Sequence, residues 1–408
     1  MENVTSDFNA TPQSSRLHIA LFGRRNVGKS SLINAITGQP VALVADVPGT
    51  TTDPVRRAME IAPLGPCLLI DTAGFDDTGS LGEQRTHRTS QVVDHTDLAL
   101  LVTDGSDLSD EQQWMQLLGE RKVPTVVVLN KVDLLDDTTA AVKHVQATLG
   151  VEPIAVSAST GRGIDSLIEA IVRAAAPQQA NVASLTGGLV HAGDTVLLVM
   201  PQDAQAPAGR LILPQVQTIR DLLDHECTVV GCTPSGLSKA LAALREPPAL
   251  IITDSQVFDT VDAVKPATSR LTSFSVLLAA YKGDIGYLAD GARAIERLTP
   301  ASRVLIAEAC THAPLSEDIG RVKIPRLLHA RLGNELTVDV KAGHDWPDDL
   351  AAYDLIIHCG GCMINARQMR SRIEQAKAQH VVMTNYGLAI AHLRGILDRI
   401  TLPNTDNR

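Results

Sequence analysis

The sequence predicts an α/β protein of three domains, a P-loop domain followed by two smaller parallel β/α domains. Three observations carry that reading. Short apolar runs alternate with amphipathic stretches along most of the chain, the pattern of parallel sheets with helices on their faces. A glycine-rich loop ending in Lys29-Ser30 stands between the first apolar run and the first helical stretch. A small-residue segment over 174–188, with Pro177 and Gly187-Gly188, interrupts the series and reads as a linker. At 408 residues the chain is too long for one ordinary core. The expected layout is a disordered tail at 1–16, a nucleotide domain at 17–175, the linker at 176–190, and further domains at 191–281 and 282–408.

Composition narrows the function classes. Hydrophobic residues make up 44%, enough to bury a core in each domain. Aromatics are only 3%, which argues against a base-stacking platform. A formal charge of −10 without a Lys/Arg block disfavours a nucleic-acid-tracking surface. Six cysteines are too few for a disulfide framework, and their clustering suits metal binding in a reducing compartment. The stretch up to Ser15 is polar and shows no leader, and no apolar run reaches the ~20 residues of a membrane span. A soluble, cytoplasmic protein with no membrane and no nucleic-acid partner is expected.

In the first domain, apolar runs at 17–22, 67–71, 98–103, 125–130 and 154–157 read as strands. Gly23-Arg-Arg-Asn-Val-Gly28-Lys29-Ser30 follows the first, so its glycines let backbone N–H groups wrap phosphates at a helix N-terminus. Asn26, Val27 and Ser31 complete the nucleotide-binding run. Lys29 should neutralise the β- and γ-phosphates, and the Ser30 hydroxyl should coordinate Mg²⁺. Asn130-Lys131-Val132-Asp133 after a later strand selects guanine, because the Asp133 carboxylate can accept from N1–H and the exocyclic amine, a pair adenine lacks. Ser157 and Ala158 can offer a backbone N–H to guanine O6. Asp71 should hold a Mg²⁺-bound water, and the Gly74 N–H should sense the γ-phosphate. Thr51, within Pro48-Gly49-Thr50-Thr51-Thr52-Asp53, is the candidate second Mg²⁺ hydroxyl of a mobile switch. Five elements in this order make a GTPase, with Lys29, Thr51, Asp71 and Gly74 as its catalytic set.

The second series runs through 195–200, 228–230, 249–253 and 275–279 as strands, with helices near 215–225 and 235–245. It is thin for an independent core, and burying an edge or face against a second copy would relieve that. The third series begins near Asp284, with strands at 303–307, 336–340, 354–358 and 380–383.

Two runs in that last series share one chemistry: Cys310-Thr311-His312 and His358-Cys359-Gly360-Gly361-Cys362. Each follows a predicted parallel strand, and ligands gather beyond the carboxyl ends of such strands. Neighbouring strands are ~5 Å apart, so residues some fifty positions apart can converge. Cys359 and Cys362 can face one metal, with Gly360-Gly361 allowing N–H···S bonds to anionic sulfur. Three thiolates are one short of the four ligands common for an iron–sulfur cluster, leaving a position for His312, His358, water or a guest. A structural zinc site of Cys₃His type and a dithiol redox pair fit the same residues. Cys67, Cys227 and Cys232 read as small buried hydrophobes. His191, His225, His344 and His380 are expected to carry no role.

The switch wording Asn26-Val27-Gly28-Lys29-Ser30 and Pro48-Gly49-Thr50-Thr51 resembles the TrmE–Era group of GTPases. In that group an apolar residue replaces the water-orienting Gln, and Phe75 stands there. No arginine finger is identifiable, so intrinsic turnover should be slow. The resemblance implies a K⁺ ion near Asn26 and K⁺-stimulated hydrolysis.

With the thiol runs included, the chain is similar over nearly its whole length to the FeFe-hydrogenase maturation GTPases of the HydF family. Further matching strings are Gly209-Arg-Leu-Ile-Leu-Pro-Gln-Val-Gln-Thr-Ile-Arg220, Thr253-Asp-Ser-Gln256, Thr272-Ser-Phe-Ser275, Tyr281-Lys-Gly-Asp284, Ala307-Glu-Ala-Cys-Thr-His312, Asp318-Ile-Gly-Arg-Val-Lys-Ile-Pro325 and His358-Cys-Gly-Gly-Cys-Met363. The resemblance implies GTP-binding, dimerisation (191–281) and cluster-binding (282–408) domains. It implies a 4Fe–4S cluster on Cys310, Cys359 and Cys362 with an exchangeable fourth position, to which His312 or His358 is either the ligand or a support. It also implies a homodimeric scaffold that receives a di-iron precursor from radical-SAM maturases and delivers it to apo-hydrogenase. Ala313 departs from the family pattern, in which a second His often stands there. The alternatives are an RNA-modification or ribosome-associated GTPase with a structural zinc lobe, and a redox sensor that reads cluster oxidation.

Overall fold

The computed structural model describes residues 12–38, 55–72, 92–179, 184–202, 211–309, 318–343 and 345–403. The chain divides into two compact units, Met1–Val182 and Ala183–Arg408. Among the described residues no helix is long and apolar enough to cross a membrane.

In the first unit, β1 (Leu17–Phe22), β2 (Val55–Ile61), β3 (Gly65–Asp71), β4 (Leu98–Thr103), β5 (Thr125–Leu129) and β6 (Ile154–Ala155) form one sheet in the order β2-β3-β1-β4-β5-β6. All neighbours are parallel except β2 and β3. Side chains alternate between the two faces of a strand, and β4 shows the consequence. Leu98, Leu100 and Val102 pack into one core with Leu32 of α1 (Lys29–Thr37). Ala99 and Leu101 pack into the other with Leu118 of α2 (Ser109–Glu120) and Val145 of α3 (Thr138–Leu149). The helix α4 (Ile164–Gln179) completes the first core through Leu167 and Ile171. The five expected strands are present with ends shifted by a few residues. β2 escaped the sequence reading because its charges (Arg56, Arg57 and Glu60) break the apolar pattern, as is common on an edge strand.

The second unit holds two four-stranded parallel sheets. The middle one joins β7 (Thr195–Val199), β8 (Thr228–Cys232), β9 (Leu250–Thr253) and β10 (Arg270–Ser273) in the order β10-β9-β7-β8. Its helices are α5 (Leu213–Asp224), α6 (Leu237–Ala243), α7 (Phe258–Val264) and α8 (Phe274–Lys282). The last joins β11 (Arg303–Glu308), β12 (Thr337–Ala342), β13 (Leu355–His358) and β14 (Val382–Asn385) in the order β12-β11-β13-β14. Here the helices are α9 (Ile285–Arg293), α10 (Ile324–Leu332), α11 (Ala366–Ala378) and α12 (Tyr386–Leu393).

One expected strand is corrected: 275–279 is helical, within α8, and the fourth strand is 270–273 instead. Ser273 caps the helix by accepting from the Val276 amide at 3.3 Å. Val276 and Ala279 face one core while Leu277 and Leu278 face another. A helix buried on opposite sides has no polar face, and periodicity cannot then distinguish it from a buried strand.

The thinness expected of the middle block is met within the chain on both faces of its sheet. Leu197, Val199, Ile251 and Leu271 share one core with Val304, Leu305, Ile306 and Met383 of the last sheet. Val196, Leu198, Leu250 and Ile252 are covered by Leu222 of α5 and by α8. The strand β8 stands at the sheet edge with Thr228 and Gly231 exposed, beside α5 with its exposed Val216 and Leu223.

The close fit of α9 on β14 sets a test. A Cβ on Gly291 would lie 2.0 Å from the Met383 carbonyl oxygen. Gly291→Ala must push the helix off the sheet and should cost about 1–3 kcal/mol. The urea midpoint of the second unit should fall while GTP turnover by the first stays unchanged.

Candidate functional site: a nucleotide pocket and a thiol rim

The phosphate loop spans the six residues between β1 and α1, and its glycines are there for space. Gly23 has φ +134°, and a Cβ would lie 2.0 Å from the Val102 carbonyl oxygen. Gly28 has φ +93°, and a Cβ would lie 2.3 Å from the Asn130 amide nitrogen. Lys29 is buried, and its ammonium donates to the carbonyls of Gly23 and Arg24, the latter at 2.9 Å. The loop's own backbone thus aims the charge that a triphosphate needs. Ser30 Oγ donates to Asp71 Oδ2 at 2.5 Å, which brings the two candidate Mg²⁺ partners together from α1 and the end of β3. Thr51, Gly74 and Phe75 lie outside the described residues.

Asn130 is the keystone of the base side. It is 1% exposed. Its amide nitrogen donates to the Val27 carbonyl at 2.8 Å, and its oxygen accepts from the Ala158 amide at 3.1 Å. One side chain therefore ties the phosphate loop to the loop after β6. The Ala158 N–H, expected at guanine O6, is engaged by Asn130 here. Lys131 adopts φ +60°, and its ammonium lies 3.9 Å from Asp104. Hydroxyls of Ser157 and then Ser159 hold the exposed Asp133 carboxyl below its ordinary range, and Ser159 Oγ donates to it at 3.1 Å. Fixing a carboxylate in its charged form suits an acceptor for two guanine donors.

In the second unit, β11 and β13 are parallel neighbours with Ala307 opposite His358. Cys359 therefore follows β13 at the rim where β11 ends, beside Ala309. The Cys359 amide donates to the Ala307 carbonyl at 2.8 Å, and the Ala309 amide donates to Cys359 Sγ at 3.1 Å. Ala309 is joined to Cys310, but Cys310 and His312 themselves lie outside the described residues. Among the described residues no group of three or more His, Cys, Asp or Glu side chains is gathered as a metal ion requires. Cys359 and Cys362 are both half-buried. Burial raises the Cys362 thiol above its ordinary value, and the nearby Lys282 pulls it down. Gly361 takes φ +63°, and a Cβ there would meet Met369 at 2.6 Å. The donor chemistry suits a thiolate-bound metal: an amide aimed at sulfur and a loop that brings backbone close.

His358 is fully buried and both ring nitrogens are engaged. Nε2 is 2.7 Å from Arg372 Nη1, and Nδ1 is 2.8 Å from the Cys359 carbonyl. Arginine only donates, so Nε2 accepts and Nδ1–H donates to the carbonyl. Burial, then the Arg372 charge, push its pKa down to about 3. Of the two roles set out for His358, ligand or support, this geometry is that of a support.

Comparison with known proteins follows the division of the fold. Residues 18–131 match the 50S ribosome-binding GTPase family. Residues 185–283 match the hydrogen maturase F dimerization domain, and 286–403 its tetramerization domain. The two maturase matches together cover more than half of the 408 residues. The chain belongs to the hydrogen maturase F family. This hydrogen maturase F chain also resembles, through its GTPase region, the tRNA modification GTPase MnmE. It is 37% identical to that of Nitrosomonas europaea over 169 residues, 41% of this chain and 36% of that protein. It is 37% identical to that of Synechococcus elongatus over 179 residues, 41% of this chain and 38% of that protein. The chain thus spans little more than a third of these relatives' length. A solved probable GTP-binding protein engB superposes with TM-score 0.33 at 24% identity, covering 39% of this chain and 99% of its own. The first unit of this maturase is a GTPase domain.

Several residues around the maturase sites carried no signal that sequence reading could use. Arg24 in the phosphate loop is held by Asp104, Asp107 and Glu111 at 3.5, 3.8 and 3.4 Å and donates to Ser106 at 2.8 Å. Glu111 is fully buried, and its carboxyl is raised by that burial against the pull of Arg24. At the thiol rim, buried Glu308 accepts from Nε and Nη2 of Arg321 at 3.2 and 3.0 Å and from the Tyr386 hydroxyl at 3.4 Å. The Tyr386 hydroxyl is raised well above its ordinary value by burial and by the negative charges of Cys359 and Glu308. Lys282 is driven down to about 8 by burial, with the two thiols opposing. Lys282 and Glu308 close apolar stretches while Arg24 and Glu111 stand among other polar residues, and only the fold gives each its partner.

Asn130→Ala would leave the Val27 carbonyl and the Ala158 amide without their shared partner. A buried polar group stranded in this way costs about 1–3 kcal/mol. GTP affinity, measured by calorimetry with a non-hydrolysable analogue, should fall roughly ten- to hundredfold.

Proposed function

We propose that this protein is a GTP-hydrolysing scaffold for maturation of FeFe-hydrogenase, with Cys310, Cys359 and Cys362 as the ligands of its iron–sulfur centre. The observation that carries the reading is the Ala309 N–H to Cys359 Sγ bond, made between the ends of two parallel neighbouring strands by the residue that precedes Cys310 in sequence. Family membership through the maturase domains adds to it. A 4Fe–4S cluster held there would supply one iron whose fourth position is exchangeable, so that a di-iron precursor docks as cargo. His358 keeps the Cys359 carbonyl oriented, Gly360 and Gly361 let the backbone approach, and His312 remains the candidate fourth ligand. In this reading radical-SAM maturases load the cargo and apo-hydrogenase receives it. The chain works in the cytoplasm, with residues 282–408 as the cluster-binding domain and the middle block, at 191–281, as the dimer contact.

In the nucleotide site, Lys29 and the loop amides neutralise the triphosphate, and Ser30, Thr51 and Asp71 hold Mg²⁺ and its water. Asp133 reads the base. Arg24, one of the two arginines of the phosphate loop, is bound by three carboxylates. Hydrolysis without an arginine finger is slow, and a K⁺ ion near Asn26 supplies part of the missing charge. GTP then acts as a switch of partner contacts rather than as a driver of cluster chemistry. The reading as an RNA-modification GTPase draws on the MnmE likeness, which ends with the GTPase region.

Two variants test the division of labour. Lys29→Ala should lower GTP turnover by at least a hundredfold and leave iron content per chain unchanged; loss of iron would contradict separable sites. Cys359→Ser should abolish the visible absorption of the anaerobically reconstituted protein while GTP turnover persists, and zinc in place of iron would refute the cluster reading. Replacing K⁺ by Na⁺ should slow turnover severalfold, and equal rates would remove the potassium role.

A further inference from the structure

Lys282 is the last residue of α8 and lies within the dimerization-domain match, yet its side chain ends in the loop that carries two of the thiols. Its ammonium donates to the carbonyls of Gly361 and Ile364, both at 2.8 Å, and to that of Cys362 at 3.4 Å. The residue is 1% exposed. Among the described residues no carboxylate pairs with it.

Two physical points follow. Carbonyl dipoles within one short turn repel when aimed at a single point, and a cation at that point reverses the repulsion. A buried ammonium faced only by neutral carbonyls also calls for negative charge nearby. The groups at hand are Cys359 and Cys362. A cluster of 4Fe–4S type on three thiolates is anionic, and it gains a further negative charge on reduction.

The beam that carries Lys282 is braced at both ends. At its start, Asn385 donates to the Ser275 carbonyl at 2.8 Å and to its hydroxyl at 3.0 Å. At its end, a Cβ on Gly283 would sit 2.8 Å from Ile373 of α11. The ammonium therefore has little freedom to leave the loop.

We propose that Lys282 is the positioning residue of the thiol loop: it holds the turn from Cys359 to Ile364 closed before metal arrives, and its fixed positive charge favours the reduced state of the centre bound there. The inference rests on the reading of Cys359 and Cys362 as ligands. It also joins the middle domain physically to the cargo site, since a residue of one domain shapes the ligand loop of the other.

The test uses the full chain, reconstituted anaerobically with ferrous iron and sulfide, and two variants. Lys282→Gln keeps a donor without charge, and Lys282→Met keeps neither. Titration with dithionite, which supplies the one electron, is followed by electron paramagnetic resonance. Both variants should show a one-electron reduction constant at least tenfold lower, about 59 mV. Iron should be lost to a chelator severalfold faster from Lys282→Met than from Lys282→Gln. A parental potential in Lys282→Gln at parental iron content overturns the charge role. Absence of iron from the parent protein overturns the ligand reading instead, so the two failures are distinguishable. Hydrogen exchange on the metal-free parent needs no variant. Amides of 359–364 should exchange as slowly as those of α8, and exchange at the rate of an unstructured peptide overturns the positioning role.

Discussion

The arrangement at the thiol rim depends on the parallel pairing of β11 with β13. Register alone puts Ala307 opposite His358, so that β13 ends there and β11 one residue later, at Glu308. The Ala309 amide closes the gap by donating to Cys359 Sγ at 3.1 Å. A sulfur that accepts an amide proton is stabilised as an anion, the form that binds metal. A one-residue slip of this pairing would turn His358 and its neighbours to the opposite face of the sheet, because side chains alternate with a period of two. Val304, Leu305 and Ile306 lie in one core on both faces of β11, so the group such a slip would part from its partner is the His358 ring, which is 2.7 Å from Arg372 Nη1. The register thus sets the geometry of the thiol rim.

The nucleotide site was largely legible in the sequence and the thiol site only half so, for a physical reason. A phosphate loop is made by local backbone, so Gly23, Gly28, Lys29 and Ser30 declare it within eight residues. The Asn130 bridge reaches residues far off in sequence, yet the Asn-Lys-x-Asp spacing still marks it. The thiol rim is different, since its supports come from α8, α11 and the strand ends. Lys282, Arg372 and Glu308 are single polar residues whose partners stand 79, 14 and 13 positions away. No local spacing encodes such pairs. The helix α8 was misread for a related reason: it serves two cores, so both its sides are apolar and its period is hidden.

The same helix explains why the middle block is not a self-sufficient layer. Its sheet shares one core with the last sheet on one face and is roofed by α5 and α8 on the other. What remains open is the β8 edge, with Val216 and Leu223 exposed alongside. An unpaired edge beside exposed apolar residues is the part of this block suited to a second copy of the chain. Self-association through the edge would leave α8 untouched, and α8 is the element that reaches the thiol loop.

Within the proposed reading, His358 has a definite consequence for the exchangeable position. A histidine can ligate iron only through an unprotonated ring nitrogen with a free lone pair. In His358 the Nδ1 proton points at the Cys359 carbonyl, and the Nε2 lone pair accepts from Arg372. Swapping either role would strand a buried guanidinium or a buried carbonyl, each at a cost above that of an ordinary hydrogen bond. Burial and the arginine keep the ring neutral throughout the physiological range. The residue nearest in sequence to the Cys359 ligand therefore fixes that cysteine's backbone and does not compete for iron. An iron corner with no committed protein ligand from this strand is open to a guest, as a carrier needs.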